Sequence, residues 1–176
     1  MKTITSLLAL FLATTAATTA TTATTASAET LPFALGLFES GAETFQRGQP
    51  DFKRGDSGEV CRYQIMPDVW KRYSKSADYH DPVVAWEVAE RILIDRLAKF
   101  RERMHREPTP TELYLLWNKP GHFSAAQYSL TRVNSHYLNR ARRFGNLFRA
   151  VEIAYQKQAF DKIQRVAVAA TAEQKG

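Results

Sequence analysis

The sequence offers little to support chemistry based on cysteine, a metal ion or a nucleotide. Among its 176 residues Cys61 is the single cysteine, so neither a disulfide framework nor a cysteine-rich zinc site can form within one chain. The four histidines show no His-x-x-His or His-Glu-x-x-His spacing, and no glycine-rich phosphate loop or Gly-x-Ser-x-Gly segment occurs. We therefore expect no metal, no organic cofactor, and neither nucleotide nor serine-hydrolase chemistry.

Long apolar runs are also missing beyond the N-terminus, so we expect no stable membrane insertion. Lys2 precedes a short apolar stretch over residues 4–12, and a Thr/Ala tract then ends in Ala26-Ser27-Ala28. This order is typical of a secretory signal peptide. We predict that residues 1–28 are cleaved after Ala28 and that the protein acts in the periplasm or cell-wall space. An earlier cut is the alternative, because the Thr/Ala tract is unusually long.

The chain is basic, with 24 Lys and Arg residues against 18 Asp and Glu residues and a formal charge of +6. Removing residues 1–28 takes away Lys2 alone among the charges and leaves one unit less, +5. A basic exported protein is attracted to polyanions such as acidic wall polymers. Export argues against a nucleic-acid partner, as do arginines that alternate with apolar positions rather than with a base-stacking platform. The small size favours a monomer.

Helical patterns dominate the sequence that follows the predicted signal peptide. Apolar residues over 32–39 predict a short buried helix that stops at Gly41. Proline and cap signals predict further helices from Pro67, over 82–105 and from Pro110 to the Asn-Lys-Pro-Gly segment at 118–121, and a long final helix begins near Ser135.

The remaining segments predict less regular structure. Gly, Pro and Asp recur at short intervals over 41–62, which is typical of an irregular loop or a short hairpin. Past about Val166 the sequence becomes Ala-rich and polar. We expect one mainly α domain over residues 29–166, followed by a flexible tail over 167–176.

Glu39 occupies a position that favours acid chemistry. It ends the apolar segment 32–39 and is followed at once by Ser40 and Gly41. Partial burial at such a helix end disfavours the anion and raises the pKa, so the carboxyl can keep its proton near neutrality. That property is needed in a general acid at a glycosidic oxygen. The alternative is an exposed helix-end glutamate without a function.

Four motifs follow one another along the chain. They are Glu39-Ser40-Gly41, residues 62–67 (RYQIMP) with Trp70 behind them, residues 116–121 (LWNKPG) and residues 137–141 (YLNRA). In this order they resemble the soluble lytic transglycosylase and goose-type lysozyme group of the lysozyme-like superfamily, over about residues 32–150. The resemblance implies a small lysozyme-like helical domain, the SLT domain, that acts on peptidoglycan glycan strands.

The chain departs from the family pattern at three points. Arg62 stands where the family usually has a small or apolar residue, and Trp117 replaces a tyrosine. Pro120 and Gly121 reverse the usual Gly-Pro order. These departures bear on substrate detail and on full activity more than on the fold.

The resemblance also implies a mechanism and a set of site residues. Glu39 would protonate the oxygen between N-acetylmuramic acid and N-acetylglucosamine, and would then act as base on the muramyl 6-hydroxyl. The product would carry a 1,6-anhydro ring, and neither a second carboxylate nor a cofactor would be needed. The residues implied in substrate binding are Ser40, Tyr63, Gln64, Trp117, Asn118 and Tyr137.

Two alternatives remain open. Glu59 precedes the Tyr-Gln-Ile motif and could bring a second carboxylate across the cleft. A pair of carboxyl groups about 6.5–9.5 Å apart would admit a water molecule and give an inverting muramidase. In the other alternative the domain binds glycan without cutting it, as a wall module. An anhydro-muramyl product end supports transglycosylation, whereas a reducing end supports hydrolysis.

Overall fold

The computed structural model describes residues 19–41 and 54–173, with side chains over 30–41, 54–162, 164 and 165. Within these ranges the chain forms helices joined by turns and short loops, and contains no β-strand. The helices are α1 (Thr19–Ser40), α2 (Pro67–Tyr73), α3 (Pro82–Met104), α4 (Pro110–Asn118), α5 (Pro120–Ala125) and α6 (Ser135–Glu173), and Leu130–Arg132 forms one 3₁₀ turn. The predicted mainly α class is confirmed.

Proline and cap residues set the starts of α2, α3 and α4. The Asp81 side chain accepts hydrogen bonds from two backbone N–H groups in the first turn of α3. Thr109 and Glu112 form a reciprocal capping box at the start of α4. Each of these three helices begins with a proline. Proline is favourable there because the first residue of a helix has no intrahelical hydrogen bond to lose. The predicted starts of the three helices are confirmed.

Two helices differ from the sequence prediction. α1 begins at Thr19 rather than near Pro32, although threonine, the commonest residue of this upstream part, has a low helix propensity, and Pro32 lies inside the helix. The predicted cleavage site after Ala28 lies within α1, so cleavage there would leave residues 29–40 of this helix. α5 was not predicted, because the Asn-Lys-Pro-Gly segment is a stop signal for α4. Pro120 nevertheless opens α5 as its first residue.

The core forms where α6 packs against α1 and α4. Phe144 of α6 is fully buried, and its ring centroid lies 5.5 Å from that of Phe38 on α1 and 5.0 Å from that of Tyr114 on α4. α3 packs against α4, and α2 packs against α3. This arrangement brings the last turn of α1, which carries Glu39, against α4 and α6.

Residues 54–66, named here the turn segment, form a short irregular hairpin. Val60 and Ile65 pair in an isolated antiparallel bridge, with N···O distances of 2.8 and 3.0 Å. Cys61 and Gln64 adopt left-handed φ angles of 56° and 52°, which turn the chain between the two bridging residues. The bridge residues and Cys61 are buried, and this part of the predicted short hairpin is confirmed.

Some predictions concern residues outside the described ranges. These are residues 1–18 of the predicted signal peptide, residues 42–53 of the predicted loop, and residues 174–176 of the predicted tail. The backbone of residues 167–173 continues α6. The predicted flexibility of that segment concerns its motion and stays a prediction.

Candidate functional site

The Glu39 carboxyl is buried between α1, α4 and α6. Its side chain is 5% exposed, and Oε2 accepts a hydrogen bond from Arg140 Nη2 at 3.2 Å. Arg140 Nε also donates to the hydroxyl oxygen of Tyr114 at 2.6 Å, so one guanidinium ties α4 to the end of α1. Glu39 Oε1 is buried as well, and no described residue forms a hydrogen bond with it. Oε2 is thus anchored by Arg140, whereas Oε1 is enclosed by the protein without a hydrogen-bond partner among the described residues.

The surroundings of Glu39 favour its protonated form. Burial raises the pKa of the carboxyl, and this effect outweighs the Tyr114 hydroxyl and the Arg140 guanidinium, which both favour the anion. The carboxylate of Glu59 adds a smaller upward contribution to the pKa of Glu39. The net shift is upward, as predicted for a buried acid at the end of this helix. Burial also raises the pKa of Tyr114, so its phenol remains protonated at neutral pH.

A groove of about 470 Å³ lies between the turn segment, α2, α3 and the junction of α4 with α5. Four of the residues selected from the sequence line it: Glu59, Gln64, Trp117 and Asn118. Glu39 is not among the lining residues. Glu59 lines the groove, and its carboxylate makes the smallest of the contributions to the raised pKa of Glu39.

Gly55 leaves room for two of the groove side chains. Glu59 Oε2 accepts a hydrogen bond from the Ser57 N–H at 3.1 Å, and Gln64 Nε2 donates to the Cys61 carbonyl at 2.9 Å. A Cβ atom on Gly55 would clash with Glu59 Oε2, and would lie 2.5 Å from Gln64 Oε1. Both side chains therefore keep their positions only with glycine at this point.

The other selected residues lie away from the groove lining. The Ser40 hydroxyl donates to a backbone carbonyl in the last turn of α1, at 2.6 Å. Tyr63 is 1% exposed and packs against Trp86 with ring centroids 5.6 Å apart, so it belongs to the core. Tyr137 is half-buried on α6. The tyrosine whose hydroxyl lowers the pKa of Glu39 is Tyr114, not Tyr137.

Sequence analysis did not select Arg140 or Tyr114. Arg140 belongs to the same 137–141 motif as Tyr137, and its contact with Glu39 joins residues 101 positions apart. Tyr114 lies in a helix whose pattern predicts only core packing. The sequence signal for Arg140 was its position in the 137–141 motif, next to apolar residues that pack in the core. The sequence around Arg140 does not show that its ion-pair partner is Glu39.

Two further properties of the described residues bear on function. No helix among them is long and apolar enough to cross a lipid bilayer. No group of three or more His, Cys, Asp and Glu side chains in the described ranges is placed to hold a metal ion.

Comparison with known proteins identifies no relative for the chain. No protein-family model matches it, and neither a curated protein nor a solved structure matches it.

Proposed function

We propose that the chain is a peptidoglycan lytic transglycosylase in which Glu39 is the catalytic residue. The observation that supports this most is the buried Glu39 carboxyl, with its raised pKa and its unpartnered Oε1. A general acid must enter the reaction protonated, and an oxygen without a protein partner is able to pass its proton to a ligand. The four motifs provide the substrate class, a peptidoglycan glycan strand.

In the proposed reaction one carboxyl carries out both proton transfers. Glu39 gives its proton to the oxygen between N-acetylmuramic acid and N-acetylglucosamine as the bond from that oxygen to the muramyl C1 breaks. The Glu39 carboxylate then takes the proton of the muramyl 6-hydroxyl, while the 6-oxygen bonds to C1 and closes the 1,6-anhydro ring. No water is consumed, and Glu39 ends the cycle protonated.

Arg140 and Tyr114 suit the intermediate stage of this reaction. After the first transfer Glu39 is an anion in a buried site, which is costly without partners. The Arg140 guanidinium at 3.2 Å and the Tyr114 hydroxyl both favour this anion, whereas burial favours the acid. Because these effects oppose each other, neither protonation state is held so strongly that the next transfer is blocked.

The groove supplies groups that suit a sugar. Gln64 and Asn118 offer amide donors and acceptors for hydroxyl and N-acetyl groups, and Trp117, of which only 8% is exposed, lines the groove with them. Glu39 lies outside the groove lining and its Oε1 is buried, so proton transfer to a glycan requires a rearrangement that exposes Oε1. The predicted signal peptide would deliver the enzyme to the wall, where it would act as a monomer.

A second candidate function is an inverting muramidase. Glu59 lines the groove, and its charge contributes to the raised pKa of Glu39, which favours it as the second carboxylate. In this reaction Glu59 would take a proton from water as the water attacks C1, and Glu39 would act only as the acid.

Digestion of purified sacculi tests the proposal. We expect Glu39→Gln to lower the release of soluble muropeptides by about 100-fold or more, because the acid and base roles are both lost. Glu59→Gln is the matched control and should keep activity within about tenfold of the unsubstituted chain, since only a nearby charge is lost. Circular dichroism would confirm that both variants fold.

Two outcomes would change the assignment. A loss in Glu59→Gln equal to the loss in Glu39→Gln would favour the muramidase. If the unsubstituted chain releases nothing from sacculi of several wall chemistries, the domain binds glycan without cutting it.

A further inference from the structure

Arg96 is a largely buried cation in the wall of the groove, and no carboxylate among the described residues forms an ion pair with it. It extends from α3, and its Nη1 donates to the carbonyl of Leu116 at 3.0 Å and to that of Trp117. Its guanidinium carbon lies 5.5 Å from the centroid of the Trp117 ring. Several other arginines of the described ranges do have carboxylate partners: Arg72, Arg91, Arg101, Arg106 and Arg140.

The free side of the Arg96 guanidinium has unused binding capacity. Both hydrogen bonds come from Nη1, and no described residue accepts a hydrogen bond from Nε or Nη2. Burial lowers the pKa of Arg96, the direction expected for a cation partly withdrawn from water. A buried charge without a counterion is costly, and an incoming anion would relieve that cost.

Lys119 adds a second positive charge to the same wall. It lines the groove beside Trp117 and Asn118, and no described carboxylate forms an ion pair with it. Its Nζ lies 5.2 Å from the centroid of the Tyr137 ring. The acidic lining residue, Glu59, belongs to the turn segment, so the wall formed by α3 and the α4–α5 junction carries net positive charge.

We propose that the Arg96–Lys119 wall binds a carboxylate of the substituent on the muramyl 3-oxygen, and that Arg96 thereby determines specificity for muramyl-containing glycans. A planar guanidinium pairs well with a carboxylate, through two parallel hydrogen bonds. The carboxylate is that of the lactyl group in a peptide-free glycan, or that of a stem peptide where the lactyl group is amidated. This inference rests on the proposed function, because it assumes a glycan in the groove.

The test compares three tetrasaccharides by titration calorimetry with the full chain carrying Glu39→Gln, so that the ligands stay intact. They are an N-acetylglucosamine tetramer without a carboxylate, a peptide-free muramyl tetrasaccharide, and a muramyl tetrasaccharide with stem peptides. We expect at least one muramyl ligand to bind about tenfold tighter than the tetramer at low salt. The preference should shrink at roughly 0.5 M NaCl, where charges are screened. The ligand that shows the preference identifies the source of the carboxylate.

Substitution of Arg96 separates recognition from a purely structural role. Arg96→Gln should reduce the preference to about twofold or less, while the affinity for the plain tetramer stays unchanged. If Arg96→Gln weakens all three ligands equally, Arg96 only caps α4 and the proposal is wrong. Arg96→Lys keeps the positive charge but cannot form two parallel hydrogen bonds with a carboxylate, so it should keep part of the preference for muramyl ligands. This variant also provides the test if Arg96→Gln does not fold.

Two results from the chain with Arg96 intact would also test the proposed carboxylate site. Equal affinity of all three ligands at low salt would overturn the carboxylate site and leave the proposed function intact. Failure of all three to bind would instead contradict the proposed function, and the inference with it.

Discussion

The Glu39 side chain is subject to opposing influences that come from different parts of the chain. Its position in the last turn of α1 buries it and raises its pKa, whereas Arg140 and Tyr114 stabilise the anion. A carboxyl used only for stability would have both oxygens satisfied, since a buried unpaired acceptor costs about 1–3 kcal/mol. The absence of a hydrogen bond to Oε1 among the described residues is compatible with a reacting group.

The raised pKa of Glu39 makes a prediction about stability and pH. The folded chain holds this proton over a pH range in which the unfolded chain has released it. The stabilising contribution is complete below the unfolded pKa, about 4.3, and is lost as pH rises through the higher folded pKa. In urea unfolding we expect the free energy of unfolding of the unsubstituted chain, relative to Glu39→Gln, to fall as the pH rises above about 4. A rise over this range would show that Arg140 depresses the pKa instead.

Gly55 gives a second prediction for single residues. An added methyl group displaces the ends of the Glu59 and Gln64 side chains, which are flexible, so Gly55→Ala should change the free energy of unfolding by less than about 1 kcal/mol. The same displacement disturbs the groove, and we expect muropeptide release to fall about tenfold. Gly121→Ala is the matched control, because no atom lies within 4 Å of its added Cβ. Equal activity of the two variants would exclude a role for this part of the turn segment.

At the scale of helices, sequence analysis succeeded where a local signal sets a boundary. Asp81 with Pro82, and Thr109 with Glu112, satisfy backbone groups within their own first turns, so the starts of α3 and α4 could be predicted. The analysis failed at the junction of α4 and α5. There the same Pro-Gly pair is compatible with the end of one helix and the start of another, and packing of the buried Phe123 favours the second helix.

Contact between helices leads to a prediction about α6. Phe144 joins α1, α4 and α6 in the core, so Phe144→Ala should lower the free energy of unfolding by about 3–5 kcal/mol. Phe160→Ala on the same helix is the control, because that ring is 59% exposed and its loss should cost less than about 0.5 kcal/mol. Chemical denaturation of both variants measures the difference. Similar losses in both would mean that Phe144 is not a central core residue.

At the scale of the whole molecule, the candidate site is assembled from segments far apart in the sequence. The order of the motifs indicated Glu39, Gln64, Trp117 and Asn118, and the last three do share a groove. The pairing of Glu39 with Arg140 could not be predicted, because it depends on how α1 docks on α6. The same limit applies to Tyr63, whose motif indicated the site but whose ring lies in the core.

The central claim is that Glu39 alone performs both proton transfers on a muramyl glycan. Mass analysis of the products released from purified sacculi tests this most directly, because an anhydro-muramyl end is lighter by one water molecule than a reducing end. The account predicts anhydro-muramyl ends from the unsubstituted chain and none from Glu39→Gln. Products that carry only reducing ends would contradict it.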